Sequence, residues 1–466
     1  MEFYDNLARF ERAPALIGEN GDTLSYEDIE ASANVFSANL SRRSLVMILA
    51  DNCTESVIGY LACLRSKCPV MLLASTIDER LLASLLSVYR PNYIWLSRDR
   101  AQNFTRCRKA YFSGEYELLR NSEERVAMNV DLALLMSTSG STGSPKFVRQ
   151  SYENIASNAT SISTYLDIHS EDRAITILPM HYVYGLSVIN SHLRVGGSVV
   201  LTDASLMEKR FWNLMETQHV TSMSGVPYTF EVLKRLRWTQ MALPCLRMLT
   251  QAGGKLSAAL VEEFALQCQR KAILFYVMYG AAEATARMAY LPPSQALHKP
   301  ASIGIAIPGG ELWLEDEAGS LITGSGVTGE LVYRGSNVSL GYAQRVEDLV
   351  LGDVRGGILK TGDFATRDSE GAYYIVGRKS RFVKIFGNRV NLEDVEQLLR
   401  ATNIDCACAG IDDLLTIYVT DRSKMQDAVS YAQQVTGLPR LGFRAQFVDL
   451  IPRNKAGKIL YSELAG

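Results

Sequence analysis

Residues 134–150 read "LLMSTSGSTGSPKFVRQ": an apolar run, a loop of serines, threonines and glycines, and Lys146 at the head of a second strand-like run. A Walker A loop needs G-x-x-x-x-G-K-[ST], with its lysine opening a helix whose amides face the phosphates. Here Pro145 stands where the second glycine should fall, and Lys146 is followed by Phe147 and Val148, residues suited to a strand. The next helix is predicted from an N-cap at Ser151 through "YENIASNATSISTYL". The lysine therefore lies between two strands and not on a helix. Within the loop, Ser139, Ser141, Thr142 and Ser144 offer hydroxyl donors, and Gly140 and Gly143 let backbone amides approach an anion. An ordinary Gly/Ser turn would use the same residues.

Outward from this loop, "SLVMILA" (44–50), "PVMLLAS" (69–75) and "NYIWLS" (92–97) are short apolar runs separated by amphipathic segments such as "DERLLASLLSVYR". Strands alternating with helices predict a largely parallel, doubly wound sheet. The pattern resumes with strand candidates at 174–180, 198–203, 220–225, 247–253 and 272–278, so two α/β subdomains in series are expected. Between about 303 and 378, alternating runs such as "GELWLED", "GELVYRG" and "GAYYIVGR" spaced by glycine turns predict a small, β-barrel-like antiparallel subdomain. The tail carries helices at "NLEDVEQLLRAT" and "MQDAVSYAQQV" among short strands, a compact α+β unit. The expected architecture is a large α/β domain over 1–379 followed by a small mobile α+β domain over 380–466.

Composition narrows the function. The 466 residues are 47% hydrophobic and 21% charged, a globular balance, and length alone suggests about three domain-sized units. With 48 Lys+Arg against 50 Asp+Glu there is no basic field to attract nucleic acid, and a small molecule is the expected partner. The N-terminal segment has no charged region followed by an apolar core, and no apolar run is long enough to span a bilayer. The 8 cysteines form no CxxC pair, which suits a reducing cytoplasm, and Cys406 and Cys408 read as two small apolar residues on one face of a strand.

Beside four later stretches, "VMYGAAEATARM" (277–288), "LKTGDFA" (359–365), "IVGRKSRFVKIFGNRVNLEDVE" (375–396) and "PRNKAGKIL" (452–460), the opening loop resembles the adenylate-forming superfamily of acyl-CoA synthetases, peptide-synthetase adenylation domains and luciferases. The resemblance runs from about residue 10 to the C-terminus in the family's order. It implies ATP- and magnesium-dependent activation of a carboxylic acid as acyl-AMP, with release of pyrophosphate, and then transfer to a thiol.

The resemblance also implies roles. Ser139, Gly140, Ser141, Thr142 and Gly143 would cradle the β- and γ-phosphates, with Lys146 a mobile cation beside them. Glu283 would bind the magnesium ion, a hard cation suited to carboxylate oxygen. Tyr279 and Gly280 would meet the adenine, and Gly253 and Gly254 in "QAGGKL" the adenosine. Asp363 and Arg378 would contact the ribose, although each also fits half of a structural ion pair. Lys458 is the family's terminal lysine, expected to reach the reacting carboxylate and α-phosphate, with Ser380 at the hinge and Gly387 beside the thiol tunnel.

Three positions depart from the family pattern. Ala282 takes the place of a threonine hydroxyl, Val277 that of a residue reading the adenine amino group, and Ser380 that of an aspartate or lysine hinge. The acyl pocket is expected at "LPMHYVYGLSV" (178–188), with His181 near the carboxylate or held in the core, Tyr182, Tyr184 and Tyr228 lining the pocket, and Ser187 two residues after Gly185. Amino-acid-activating relatives carry an aspartate at the Gly185 position to pair the α-ammonium, so an amino acid is disfavoured here. Nothing separates CoA from the phosphopantetheine of a separate acyl carrier protein as acceptor. The competing readings are a nucleotide-binding protein without catalysis, an amino-acid carrier-protein ligase, and an oxygenase of the luciferase kind.

Overall fold

The computed structural model describes residues 2–137, 146–378, 381–386, 388–411, 413–453 and 459–464. They divide into two compact units, one of 2–137, 146–311 and 333–359, the other of 312–332 and the described residues from 360 onward.

The first unit is built on two mixed sheets. In the eight-stranded sheet the order is Gly341–Ala343, Phe147–Ser151, Leu132–Ser137, Val70–Ala74, Val46–Ala50, Tyr93–Ser97, Tyr116–Arg120, Arg108–Ser113. Its centre is parallel, and Val46–Ala50 is buried on both faces, which is why that strand is apolar at every position and does not alternate. The nine-stranded sheet runs Ile305–Ala306, Ala289–Leu291, Leu274–Tyr279, Met248–Gln251, Ser222–Gly225, Arg173–Ile175, Ser198–Val200, Pro14–Ile17, Thr23–Ser25. Crossover helices cover the faces. Among them, Tyr152–Tyr165 starts where the sequence places it, with Ser151 and Asn154 forming a reciprocal capping box.

Three expectations need correction. The subdomains do not follow in series, because Pro14–Ile17 pairs in parallel with Ser198–Val200 and so belongs to the second sheet. The strand expected over 174–180 ends at Ile175, where Thr176 turns its hydroxyl to the Thr202 carbonyl and Pro179 follows. Within 303–378, Ile305–Ala306 joins the nine-stranded sheet and Gly341–Ala343 the eight-stranded one, leaving a shorter β-rich stretch than the alternation suggested.

The second unit carries most of an open five-stranded sheet, ordered Leu321–Ile322, Gly310–Glu315, Gly329–Gly335, Ile358–Arg367, Tyr373–Arg378. It also holds the hairpin Phe382–Ile385 and Asn388–Asn391, and a three-stranded sheet of Cys406–Ile411, Leu414–Val419 and Phe443–Phe447 with helices Leu392–Ala401 and Met425–Thr436. Cys406 and Cys408 are unbonded thiols in the apolar core of this sheet.

Candidate active site

Ser139, Gly140, Ser141, Thr142, Gly143, Ser144, Ser380, Gly387 and Lys458 lie outside the described residues. What can be built from the chain upward begins at the hairpin of Leu132–Ser137 and Phe147–Ser151, which presents Lys146 at the start of its second strand. Gly341–Ala343 pairs antiparallel with that strand and sets Tyr342 opposite Val148. The pairing is locked by Arg149, fully buried, whose guanidinium donates to the carbonyls of Leu340 at 2.8 Å, Tyr342 at 3.0 Å and Gly352 at 3.2 Å.

Tyr342 joins two of the sequence-predicted residues. Its hydroxyl donates to Glu283 Oε1 at 2.7 Å, and Lys146 Nζ stands 3.4 Å from its ring centroid. The Arg355 guanidinium lies 4.9 Å from the same ring. Burial, and then the negative charge of Glu283, push the Tyr342 hydroxyl up to about 12, so near neutral pH it is a protonated donor. Glu283 sits on the single turn Ala282–Ala284, which is held by Ser339 N–H donating to Glu283 O at 2.9 Å and by Gln150 Nε2 donating to Ala282 O at 3.1 Å. A cation and a carboxylate are thus carried on one aromatic side chain.

The glycine-rich contacts are sterically enforced. A Cβ at Gly280 would fall 1.7 Å from Ala286 O, so the chain after Tyr279 folds back on itself at a distance only glycine allows. Gly253 has φ of +84°, and a Cβ there would meet the Tyr182 hydroxyl at 2.6 Å, which places the "QAGGKL" turn against Tyr182. Val277 is buried in the apolar cluster of the nine-stranded sheet.

His181 and Tyr182, both half-buried, precede helix Val183–Val195, and Tyr182 is its N-cap. In that helix a Cβ at Gly185 would lie 2.3 Å from Pro179 O and 2.8 Å from Leu178 O, so the position has no room for an aspartate. Ser187 donates to Tyr184 O within its own helix at 2.7 Å. Tyr184 is buried, with its hydroxyl 2.9 Å from Thr250 O, whereas Tyr228 is exposed at the start of helix Pro227–Arg235. A small cavity beside them is lined by Gln150, Asn158, Val183, Ser187, Asn190 and Thr285, and the Asn158 and Asn190 side-chain oxygens accept no hydrogen bond among the described residues.

In the second unit, Asp363 and Arg378 face one another across paired strands, with Arg378 Nε donating to Asp363 Oδ1 at 2.9 Å. The carboxylate is buried and the guanidinium exposed. Burial raises the nearby Glu393 above the usual carboxylate range, opposed by the positive charges of Arg378 and Arg381.

Two residues escape a reading of the sequence. Tyr342 lies 59 residues from Glu283 and reaches it only through strand pairing. Arg287 follows the "GAAE" motif with no spacing that marks it, yet it is buried with its Cζ 3.8 Å from the Tyr184 ring centroid. The only cue available for either was its proximity in sequence to a glycine-rich turn.

Known proteins resemble this chain in sequence and in fold. Residues 3–343 match the family described as AMP-binding enzyme. The 2-succinylbenzoate–CoA ligase of Bacillus pumilus is 29% identical over 339 residues, 70% of this chain and 67% of that protein. The indoleacetate–CoA ligase of Aromatoleum aromaticum is 27% identical over 341 residues, 70% of this chain and 65% of that protein. Among solved structures, o-succinylbenzoate CoA synthetase (MenE) from Bacillus subtilis with its acyl-adenylate intermediate shares the fold at a TM-score of 0.82 and 22% identity, covering 100% of this chain and 98% of that one. ATP-bound MatB from Rhodopseudomonas palustris does so at a TM-score of 0.80 and 21% identity, with the same coverage. The chain belongs to the AMP-binding enzyme family, within the adenylate-forming superfamily. Its activity is that of an AMP-forming acid–thiol ligase, which joins a carboxylic acid to the α-phosphate of ATP, releases pyrophosphate, and passes the acyl group to a thiol.

Proposed function

We propose that the Lys146, Tyr342 and Glu283 cluster is the polyphosphate end of the site, and that the acid activated is not an α-amino acid. The observation that carries the first half is the convergence itself, with a cation 3.4 Å from one ring and a carboxylate 2.7 Å from its hydroxyl. Glu283 fits magnesium, which takes one or two carboxylates and completes its shell with phosphate oxygens and water. When bound, the ion offsets negative charge on the phosphates. Tyr342 holds the carboxylate in place, and Lys146 meets the pyrophosphate as it separates. The loop residues Ser139, Gly140, Ser141, Thr142 and Gly143 supply further donors to it.

Tyr279, Gly280, Gly253 and Gly254 take the adenosine, where the glycine contacts leave backbone as the only surface. Asp363 accepts from the ribose hydroxyls, a task suited to a carboxylate already oriented by Arg378. Residues 380–466 form the small domain, pivoting at Ser380, whose Lys458 places a cation at the reacting carboxylate and α-phosphate. A single donor of that kind contributes about 10²–10³ in rate. His181 and Tyr182 border the carboxylate, and Gly387 the thiol.

The second half of the proposal rests on Gly185. With backbone carbonyls 2.3 and 2.8 Å from where its Cβ would stand, no counter-charge for an ammonium fits there. The relatives act on 2-succinylbenzoate and indoleacetate, neither of them an α-amino acid, and both use CoA, the acceptor we assign to this chain. A carrier-protein thiol is the alternative acceptor. The 8 cysteines, all unbonded, support a reducing cytoplasm, and no helix among the described residues is long and apolar enough to cross a membrane.

The test is acid-dependent exchange of labelled pyrophosphate into ATP across aryl, alkyl, hydroxy and amino acids, followed by mass spectrometry of the thioester formed with CoA or with a phosphopantetheinylated carrier. Exchange with non-amino acids and an acyl-CoA product are expected. A preference for an α-amino acid would overturn the Gly185 argument, and Lys458→Ala with unimpaired exchange would remove that lysine from the chemistry.

A further inference from the structure

Arg287 differs from Arg149, the other buried arginine of the first unit, and from the half-buried Arg173 and Arg247. Arg149 spends its guanidinium on backbone carbonyls, Arg173 on Ser198 Oγ and Gln218 O, and Arg247 on the carboxylate of Asp172 at 2.6 Å. Arg287 is only 3% exposed, yet among the described residues its one hydrogen bond is a long contact from Nη1 to the adjacent Ala286 O at 3.4 Å, and its Nε has no acceptor. Its other contact is with the face of Tyr184, 3.8 Å from Cζ to the centroid. A ring face offsets part of the cost of burying a cation but does not replace an anion. The acid nearest in sequence, Glu283, turns to Tyr342 and not to Arg287.

Position then decides what the missing anion belongs to. Arg287 Cα lies 2.9 Å from where a Gly280 Cβ would stand, so its backbone flanks the candidate nucleotide turn. Its guanidinium leaves that turn for Tyr184, whose ring is 6.4 Å from that of Tyr182. The polyphosphate end already has its own cation in Lys146. Among the described residues this positive charge, set back on the side of Tyr182 and Tyr184, has no ion-pair partner, which leaves the role to a bound anion.

We propose that Arg287 is the specificity residue of the acyl pocket, and that the acid activated by this enzyme carries a second anionic group, a carboxylate remote from the reacting one, which the Arg287 guanidinium binds. This rests on the acyl-pocket assignment of Tyr182 and Tyr184 made above. A planar guanidinium suits a carboxylate because two parallel N–H donors meet two oxygens. Removing one partner of a buried charged pair leaves the other unpaired, so the loss expected on truncation is on the order of 10²-fold in kcat/KM.

The experiment compares α,ω-dicarboxylic acids with monocarboxylic acids of equal chain length in pyrophosphate exchange, in the wild type and in Arg287→Met and Arg287→Lys, with ATP affinity measured by calorimetry for each protein. The expected result is a wild-type preference for diacids on the order of 10²-fold, lost in Arg287→Met, partly kept in Arg287→Lys, with ATP affinity unchanged. Equal use of mono- and diacids by the wild type overturns the proposal, as does a diacid preference that survives in Arg287→Met. A fall in ATP affinity that matches the loss of exchange with every acid also overturns it, by giving the guanidinium to the nucleotide phosphate. Should neither variant fold, the wild-type comparison decides alone. Exchange with no acid of either kind would instead refute the adenylation reading on which the proposal stands.

Discussion

In Gly185→Ala the added Cβ would stand 2.3 Å from Pro179 O and 2.8 Å from Leu178 O, both backbone atoms that no side-chain rotation can remove. Ordinary van der Waals contact begins at 3.4 Å, so helix Val183–Val195 or the 178–180 segment must give by about 1 Å. Overpacking of that size in a dense interior costs about 1–3 kcal/mol. At roughly 2–4 °C per kcal/mol, the apparent Tm should fall by about 2–12 °C at a fixed scan rate. Gly185→Asp adds a carboxylate with no room for it and should fall further. Gly18→Ala is the control, since its nearest atom, Asp22 O, would be 3.7 Å away, and its Tm should stay close to wild type. Calorimetry of the three variants alongside pyrophosphate exchange is the assay. A Gly185→Asp protein that melts with the wild type and gains exchange with α-amino acids would refute the steric argument and the substrate class drawn from it.

Tyr342→Phe removes the donor to Glu283 but keeps the ring under Lys146, and a hydrogen bond to a charged group is worth about 1.5–3 kcal/mol, so apparent magnesium affinity in the exchange reaction should weaken about tenfold or more. Tyr342→Leu should weaken it further by removing the cation–ring contact as well. His192 is buried, with Nδ1 2.8 Å from Val188 O and Nε2 3.1 Å from Ser222 Oγ, and burial holds its imidazole below the usual value. It therefore takes up a proton on unfolding. Its contribution to stability is full above the unfolded value of about 6.5 and is lost as pH falls below it, by at most about 1.4 kcal/mol per pH unit. Urea midpoints across that range should show the gradient, flattened in His192→Gln. In the second unit, Glu396, itself buried, accepts from Cys408 N–H at 2.7 Å and Tyr461 OH at 3.1 Å and pairs with the guanidinium of Arg381, 12% exposed. Glu396→Ala strands that cation and should cost about 3–5 kcal/mol in denaturant unfolding, a loss that Glu396→Gln should share only in part.

Local chemistry was the readable part of this chain. Ser151 as a cap, the placing of Lys146 between strands, and the apolar runs of the parallel centre each follow from a few adjacent residues, and each is present. Long-range pairing was not readable. Pro14–Ile17 carries no mark that it will pair with Ser198–Val200, and the three residues of Gly341–Ala343 are too few for any periodicity to assign them to a sheet. Gly185 looked like a vacancy left by a missing aspartate, whereas in the fold it is a contact too close for any side chain. Arg287 was invisible because the absence of a partner is a property of the folded interior and not of a sequence window.

The account turns on a carboxylate oxygen attacking the α-phosphorus of ATP, with the thiol then displacing AMP from the acyl carbon. Acid labelled with oxygen-18 in its carboxylate, chosen as the best substrate of the exchange panel, follows that oxygen in a single turnover with CoA. The predicted result is a single label in the phosphate of AMP and none in pyrophosphate. Label recovered in inorganic phosphate, with ADP as the nucleotide product, would mean attack at the γ-phosphorus and would contradict it.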